Sequence, residues 1–185
     1  MKYNILIFLT FLSVNLFASN FTVTQESSFE EGNIIFNMGE YSFEQDNSYH
    51  KILSEAKGKT QSYGEPELPT YTFNYAIQRN KEYEVAYEVV DFDVYYDINL
   101  FPTQLPISLQ TQENFSKNSE LYNSSNQYPD SQLNVIRSSV RGNDLLAIEL
   151  IPFEYSFQTK ILKVFNEVEI VINETNIREN YNEIP

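Results

Sequence analysis

Few residues in this 185-residue chain could do chemistry. His50 is its single imidazole and its one candidate for a general base near neutral pH. It lies in the stretch YHKILS, where no glycine-framed serine accompanies it. No nucleophile–base arrangement is indicated, and His50 reads as a partly exposed surface residue. Asp91, Asp93 and Asp97 bring carboxylates close together along one stretch. Such oxygens suit Ca²⁺, but no glycine-bearing acidic loop goes with them, so they read as a solvated strand face. Cysteine is absent, which excludes a thiolate nucleophile and a thiolate metal site. No metal or other cofactor is implied. The residues favour a chain that binds over one that catalyses.

The charge narrows the partners. Twelve basic residues face 26 acidic ones, for a net charge of −14. A nucleic-acid binder needs a cationic surface to displace counterions, so nucleic acid is excluded as a partner. The N-terminus, MKYNILIFLTFLSVNLFASN, has a positive start at Lys2, an apolar run from Ile5 to Phe17, and small residues at Ala18 and Ser19. The run is shorter than the about 20 residues that span a bilayer. It reads as a cleaved secretory leader over residues 1–18, with an exported protein and no stable membrane insertion. Residues 19–29 read as a disordered lead-in, 30–175 as one domain, and 176–185 as a polar tail.

The domain must position whatever binds. Fourteen Tyr, fourteen Phe, only five Gly and no Trp suit pleated sheets. Residues 33–43 read as two short strands around Gly39. Residues 46–57 read as a turn or one short helical segment, with Asp46 to Ser48 as its cap. In residues 82–96, Tyr83, Val85, Tyr87 and Val89 share one face, and then Val90, Phe92 and Val94 take over as the apolar set. That change of parity requires a β-bulge near Val89–Val90, or a strand that bends and swaps sheets. Residues 110–132 are rich in Ser, Asn and Gln and read as a long surface loop. Residues 133–157 read as two strands around a turn at Gly142-Asn143-Asp144, the second ending at Pro152. From Leu162 to Ile172 the apolar residues fall on even positions, interrupted at Asn166, as in a long strand with one buried face. The class is all-β, an antiparallel β-sandwich.

One ordered set of motifs goes further. Gly64-x-Pro66-x-Leu68-Pro69 leads into a strand near Tyr71, and a second Tyr/Val-rich strand and Pro102 follow. Val140-Arg141-Gly142, Pro152-Phe153-x-Tyr155, Leu162 and Val164 close the chain. Together these resemble, over about residues 30–175, the propeptide domain of gingipain-type secreted cysteine peptidases. The resemblance implies a chain that helps its peptidase fold and keeps it latent. The partner is then a gingipain-like cysteine peptidase catalytic domain, in cis or in trans, in the bacterial envelope or outside the cell. It also implies an inhibitory loop at Gln104, Leu105, Pro106, Ile107, Ser108, Leu109 and Gln110. Leu109 stands where arginine-specific members carry arginine. This is a departure, since an apolar side chain cannot satisfy an acidic pocket: either the cognate peptidase prefers apolar residues, or this loop inhibits differently. Arg141 reads as a structural cation. The alternative is a secreted sandwich that binds carbohydrate or protein through loop aromatics such as Phe115, Tyr122 and Tyr128.

Overall fold

The computed structural model describes residues 21–27, 31–105 and 115–177. The segment expected to be a leader, 1–18, and residues 178–185 of the expected tail lie outside them. In chain order the elements are β1 (Thr22–Ser27), β2 (Glu31–Asn37), β3 (Tyr41–Asp46), β4 (Tyr49–Ser54), β5 (Gly58–Lys59), β6 (Pro69–Ile77) and β7 (Lys81–Tyr95). A single helical turn, α1 (Ser119–Tyr122), comes next. The chain continues with β8 (Gln127–Tyr128), β9 (Leu133–Val140), β10 (Asn143–Leu150), β11 (Phe153–Ser156) and β12 (Ile161–Ile177). Among the described residues no helix is long and apolar enough to cross a membrane.

Alternation dictates the layers. In β6, Tyr71, Phe73, Tyr75 and Ile77 point inward while Thr72, Asn74 and Ala76 face out. β10 pairs with β6 and presents Leu146, Ile148 and Leu150 to the same side. This sheet runs β5-β6-β10-β9. Opposite lies the larger sheet, β1-β2-β12-β11-β8, with β7 on the other edge of β12. Its Ile34, Phe36, Val168, Ile170 and Ile172 complete the core between the two layers. Each such fully buried side chain stabilises the fold by about 1.5–3 kcal/mol. Every pairing between these strands is antiparallel.

A second core lies at one end and gathers Leu68, Ile98, Leu100, Tyr122, Phe153, Tyr155, Leu162 and Val164. The long β7–β12 ribbon serves both cores, and paired bulges allow it. Phe165 pairs with Phe92, Glu167 with Asp91 and Val168 with Val89, so Asn166 is extra on one strand and Val90 on the other. The bulge expected at Val89–Val90 is there, and Asn166 marks its counterpart. One extra residue on each strand restores the register and keeps Val85, Tyr87 and Val89 on the same face as Phe92 and Val94. The adjacent residues Val164 and Phe165 point into different cores. The ribbon thus buries one face against the second sheet and the opposite face, further along, against the end core.

Three expectations are corrected. Residues 46–57 hold no helix. Asp46 ends β3, and residues 49–54 are β4, which pairs with β3 across the turn Asn47-Ser48, where Asn47 takes φ +55°. Asp, Asn and Ser favour helix caps and tight turns alike, and here the turn prevails. The lead-in at 19–29 contains β1, ordered by its pairing with β2 rather than by any apolar face of its own. The structural cation is Arg137 rather than Arg141. The Arg137 guanidinium donates to the carbonyls of Lys81 at 2.8 Å, Gln78 at 3.0 Å and Arg79 at 2.8 Å, tying β9 to the β6–β7 turn. Arg141 and Gly142 form the β9–β10 turn, with φ +53° and +85°, and the Arg141 side chain is exposed. Two successive left-handed residues match the twist of a hairpin.

Asp144 closes this corner, 3.4 Å from Arg79 and 3.6 Å from Arg137. Partial burial opposes its ionisation, but a hydrogen bond from Ser139 and the charges of Arg79 and Arg137 outweigh that and hold its carboxyl below the usual range. Because its folded-state pKa lies below the unfolded value, its contribution is complete above about pH 4 and is lost as pH falls through the folded value. Urea unfolding of Asp144→Asn should therefore show a weaker acid dependence than the parent below about pH 4, together with lower stability at pH 7.

Candidate functional site

The segment that leads to the expected inhibitory loop is not a regular strand, yet its backbone is held along both sides. On one side His50 N–H donates to Asn99 O at 2.7 Å, and Phe101 N–H donates to His50 O at 2.9 Å. The His50 imidazole joins them, with Nδ1 accepting from Asn99 N–H at 3.1 Å. His50 is thus part of a backbone clamp, and no serine nucleophile stands in hydrogen-bond contact with it in the described structure. On the other side Glu67 N–H meets Phe101 O at 2.8 Å, Thr103 N–H meets Glu65 O at 2.7 Å, and Gly64 N–H meets Thr103 O at 2.9 Å. Pro66 bridges to Pro102 within this ladder.

The Gly64-Pro66-Leu68-Pro69 motif therefore has two tasks. Pro69 opens β6, two residues before the start expected at Tyr71, and Leu68 is fully buried in the end core. Pro66 and its neighbours brace the approach to the loop. Gly64 sits at φ +78°, and its carbonyl accepts from Asn118 N–H at 2.8 Å, on the far side of the loop. A Cβ at this position would lie 3.1 Å from Asn118 N, so both the backbone angle and the close approach call for glycine.

Gln104 closes the neck. Its Nε2 donates to Pro102 O and to Ser116 O, both at 2.8 Å, and its Oε1 accepts from Ser116 N–H at 2.9 Å. One amide side chain thus joins the segments that leave and return at the neck. Phe115 packs on Tyr49 and Phe101, with centroids 5.3 and 5.8 Å away. Lys51 lies 4.0 Å over the Phe101 ring and Lys117 lies 4.6 Å over Tyr122. Leu105 is exposed at the neck. Pro106, Ile107, Ser108, Leu109 and Gln110 lie outside the described residues.

Buried phenols support the neck from below. Tyr155 donates to Ile98 O at 2.8 Å and Tyr122 to Leu100 O at 2.9 Å. Burial raises the Tyr122 phenol above its ordinary 10 and pushes Tyr155 up to about 12, so both remain protonated donors. Burial likewise pushes Tyr128 up to about 12. Tyr122 and Tyr128 are therefore core residues and not the exposed ligand platform considered from the sequence. Phe115 alone of that trio is exposed, at 54%. The segment expected to be one long loop contains α1 and β8, which carry these two rings inward. Pro152 is buried, and its carbonyl accepts from Phe165 N–H at 2.9 Å.

The acidic trio is dispersed in its contacts. Asp91 accepts from Asn166 at 3.2 Å, Asp93 accepts from Tyr41 at 3.1 Å, and Asp97 occupies a left-handed turn at φ +57°. No metal-ligating cluster forms among the described residues.

No family model and no curated protein sequence matches the chain. Solved structures do. One is a chain from the complex of the Porphyromonas gingivalis RgpB pro- and mature domains. It is similar over 87% of this chain and 88% of its own, with a TM-score of 0.73 and 17% identity. Another comes from work on the zymogenic latency of gingipain K of Porphyromonas gingivalis. It covers 88% of this chain and 96% of its own, with a TM-score of 0.68 and 19% identity.

Gln104→Ala removes three hydrogen bonds at the neck. It should lower unfolding free energy by about 1–3 kcal/mol, speed amide exchange at Ser116, and hasten proteolytic nicking between Leu105 and Phe115. Unchanged exchange at Ser116 would show that Gln104 does not hold the loop. The described chain has the all-β fold of a gingipain propeptide domain.

Proposed function

We propose that the chain is the propeptide of a secreted, bacterial gingipain-like cysteine peptidase, which it helps to fold and keeps latent. The observation that carries this reading is the braced neck: two proline-stiffened backbone segments and the Gln104 clasp fix both ends of the segment expected to inhibit. A loop that must enter a cleft loses less conformational entropy on binding if its base is already fixed. The fold shared with gingipain pro-domains supports the same role. The chain contains no cysteine, so the catalytic thiolate belongs to the partner catalytic domain, joined in cis or bound in trans.

Within the loop we assign the pocket contact to Leu109, flanked by Ile107 and Ser108. An apolar side chain is well matched to an apolar specificity pocket and poorly matched to an acidic one. The cognate peptidase is therefore one that cleaves after apolar residues. Replacing Leu109 with a carboxylate would force a desolvated charge into that pocket.

The test mixes the purified protein with a gingipain-like peptidase that cleaves after apolar residues. Inhibition is expected at about micromolar protein or below, and Leu109→Asp should weaken it by at least about tenfold while leaving the circular dichroism spectrum intact. A parent protein that does not inhibit removes the latency role, and equal inhibition by parent and variant removes the Leu109 assignment.

A further inference from the structure

β7 is an edge strand. Among the described residues it pairs with β12 alone, and its other side carries no strand. Edge strands of this length are templates for further pairing, and proteins usually blunt them. β7 is not blunted by shortness, since it runs for 15 residues.

The side chains along that edge are sorted by face. On one face stand Tyr87, Phe92, Val94 and, just beyond the strand, Tyr96, with exposures of 37%, 47%, 37% and 69%. Val90, at the bulge, is 54% exposed. The paired bulges keep Tyr87, Phe92 and Val94 on one side, where the second sheet covers only the Tyr83–Val89 half. Lys163 lies 5.8 Å over the Phe92 ring but is paired with Glu154 at 2.6 Å, so it adds no net charge there. The opposite face of β7 carries Glu82, Glu84, Glu88, Asp91 and Asp93, all exposed. Glu167 and Glu169 of β12 continue that acidic surface, paired in register with Asp91 and Glu88.

We propose that the free edge of β7 docks an extended segment of a partner protein in which apolar and basic residues alternate. Added as a further strand, such a segment would bond its backbone to the open edge. Its apolar side chains would lie against Phe92, Val94 and Tyr96, and its Lys or Arg side chains against the carboxylate row. The charge pattern selects this occupant over a second copy of the chain. Two β7 edges paired together would set carboxylates beside carboxylates between molecules of net charge −14. The inference concerns β7 alone and does not require the loop to inhibit a peptidase.

The test titrates the purified protein with a fluorescent synthetic peptide alternating valine and lysine, and separately with its valine–glutamate counterpart, while amide exchange maps the contact. The lysine peptide should bind in a salt-sensitive way and protect β7 amides, and the glutamate peptide should not bind. Glu84→Lys with Glu88→Lys should weaken the lysine peptide by at least about tenfold, and Phe92→Ser with Tyr96→Ser should weaken it without unfolding the domain. Equal binding of both peptides, binding of neither, protection at β1 or β9 instead of β7, or dimerisation through β7 would each overturn the proposal. A protein that inhibits a peptidase yet fails this titration loses the β7 proposal only.

Discussion

The stretch from Ile98 to Thr103 belongs to no strand, and the rest of the site depends on how its backbone groups are satisfied. Buried peptide groups without partners are costly, so an irregular segment through a protein edge persists only if each is met. Here the His50 strand meets one side, the Gly64–Glu67 turn meets the other, and two tyrosine hydroxyls reach the remaining carbonyls from below. The partners come from four separate parts of the chain. The loop base is consequently a product of the whole end core, and its rigidity is tertiary rather than local.

The β7–β12 ribbon solves a related problem. A flat two-stranded ribbon shows one apolar face, yet this one must close two cores that lie on opposite sides of it. An extra residue on each strand at the same level preserves the pairing and lets the backbone twist more strongly there. Val164 and Phe165, adjacent in sequence, then seal different cores. The end core that supports the loop and the main sandwich core are thereby coupled through a single strand.

Much of this was legible where local pattern and tertiary fate agree. The parity change at Val89–Val90 announced a bulge, and the alternation through Leu162 to Ile172 announced a long strand. That strand does not bury a single face as expected, because the extra residue Asn166 turns Leu162 and Val164 to the side opposite Val168, Ile170 and Ile172. The misreadings have physical causes. Asp46-Asn47-Ser48 carries the side chains that favour both a helix cap and a tight turn, and only the pairing of β3 with β4 decides between them. β1 has no apolar periodicity because it gains its order from edge pairing. Tyr122 and Tyr128 sit in a polar run whose Ser and Asn face water while the two rings turn inward, so composition pointed the wrong way. The Gly64–Asn118 contact and the Gln104 clasp join positions far apart in the chain, and no local signal marks them. Arg141 drew attention as a cation, while the useful one, Arg137, lay four residues earlier.

The clasp has a consequence for divergence. Gln104 grips Ser116 and Pro102 solely through their main-chain atoms. Any residues that can span the distance between the two grips are compatible with the same base, whatever their side chains. The segment between the grips can therefore be rewritten by mutation, even wholesale, at little expense to the scaffold.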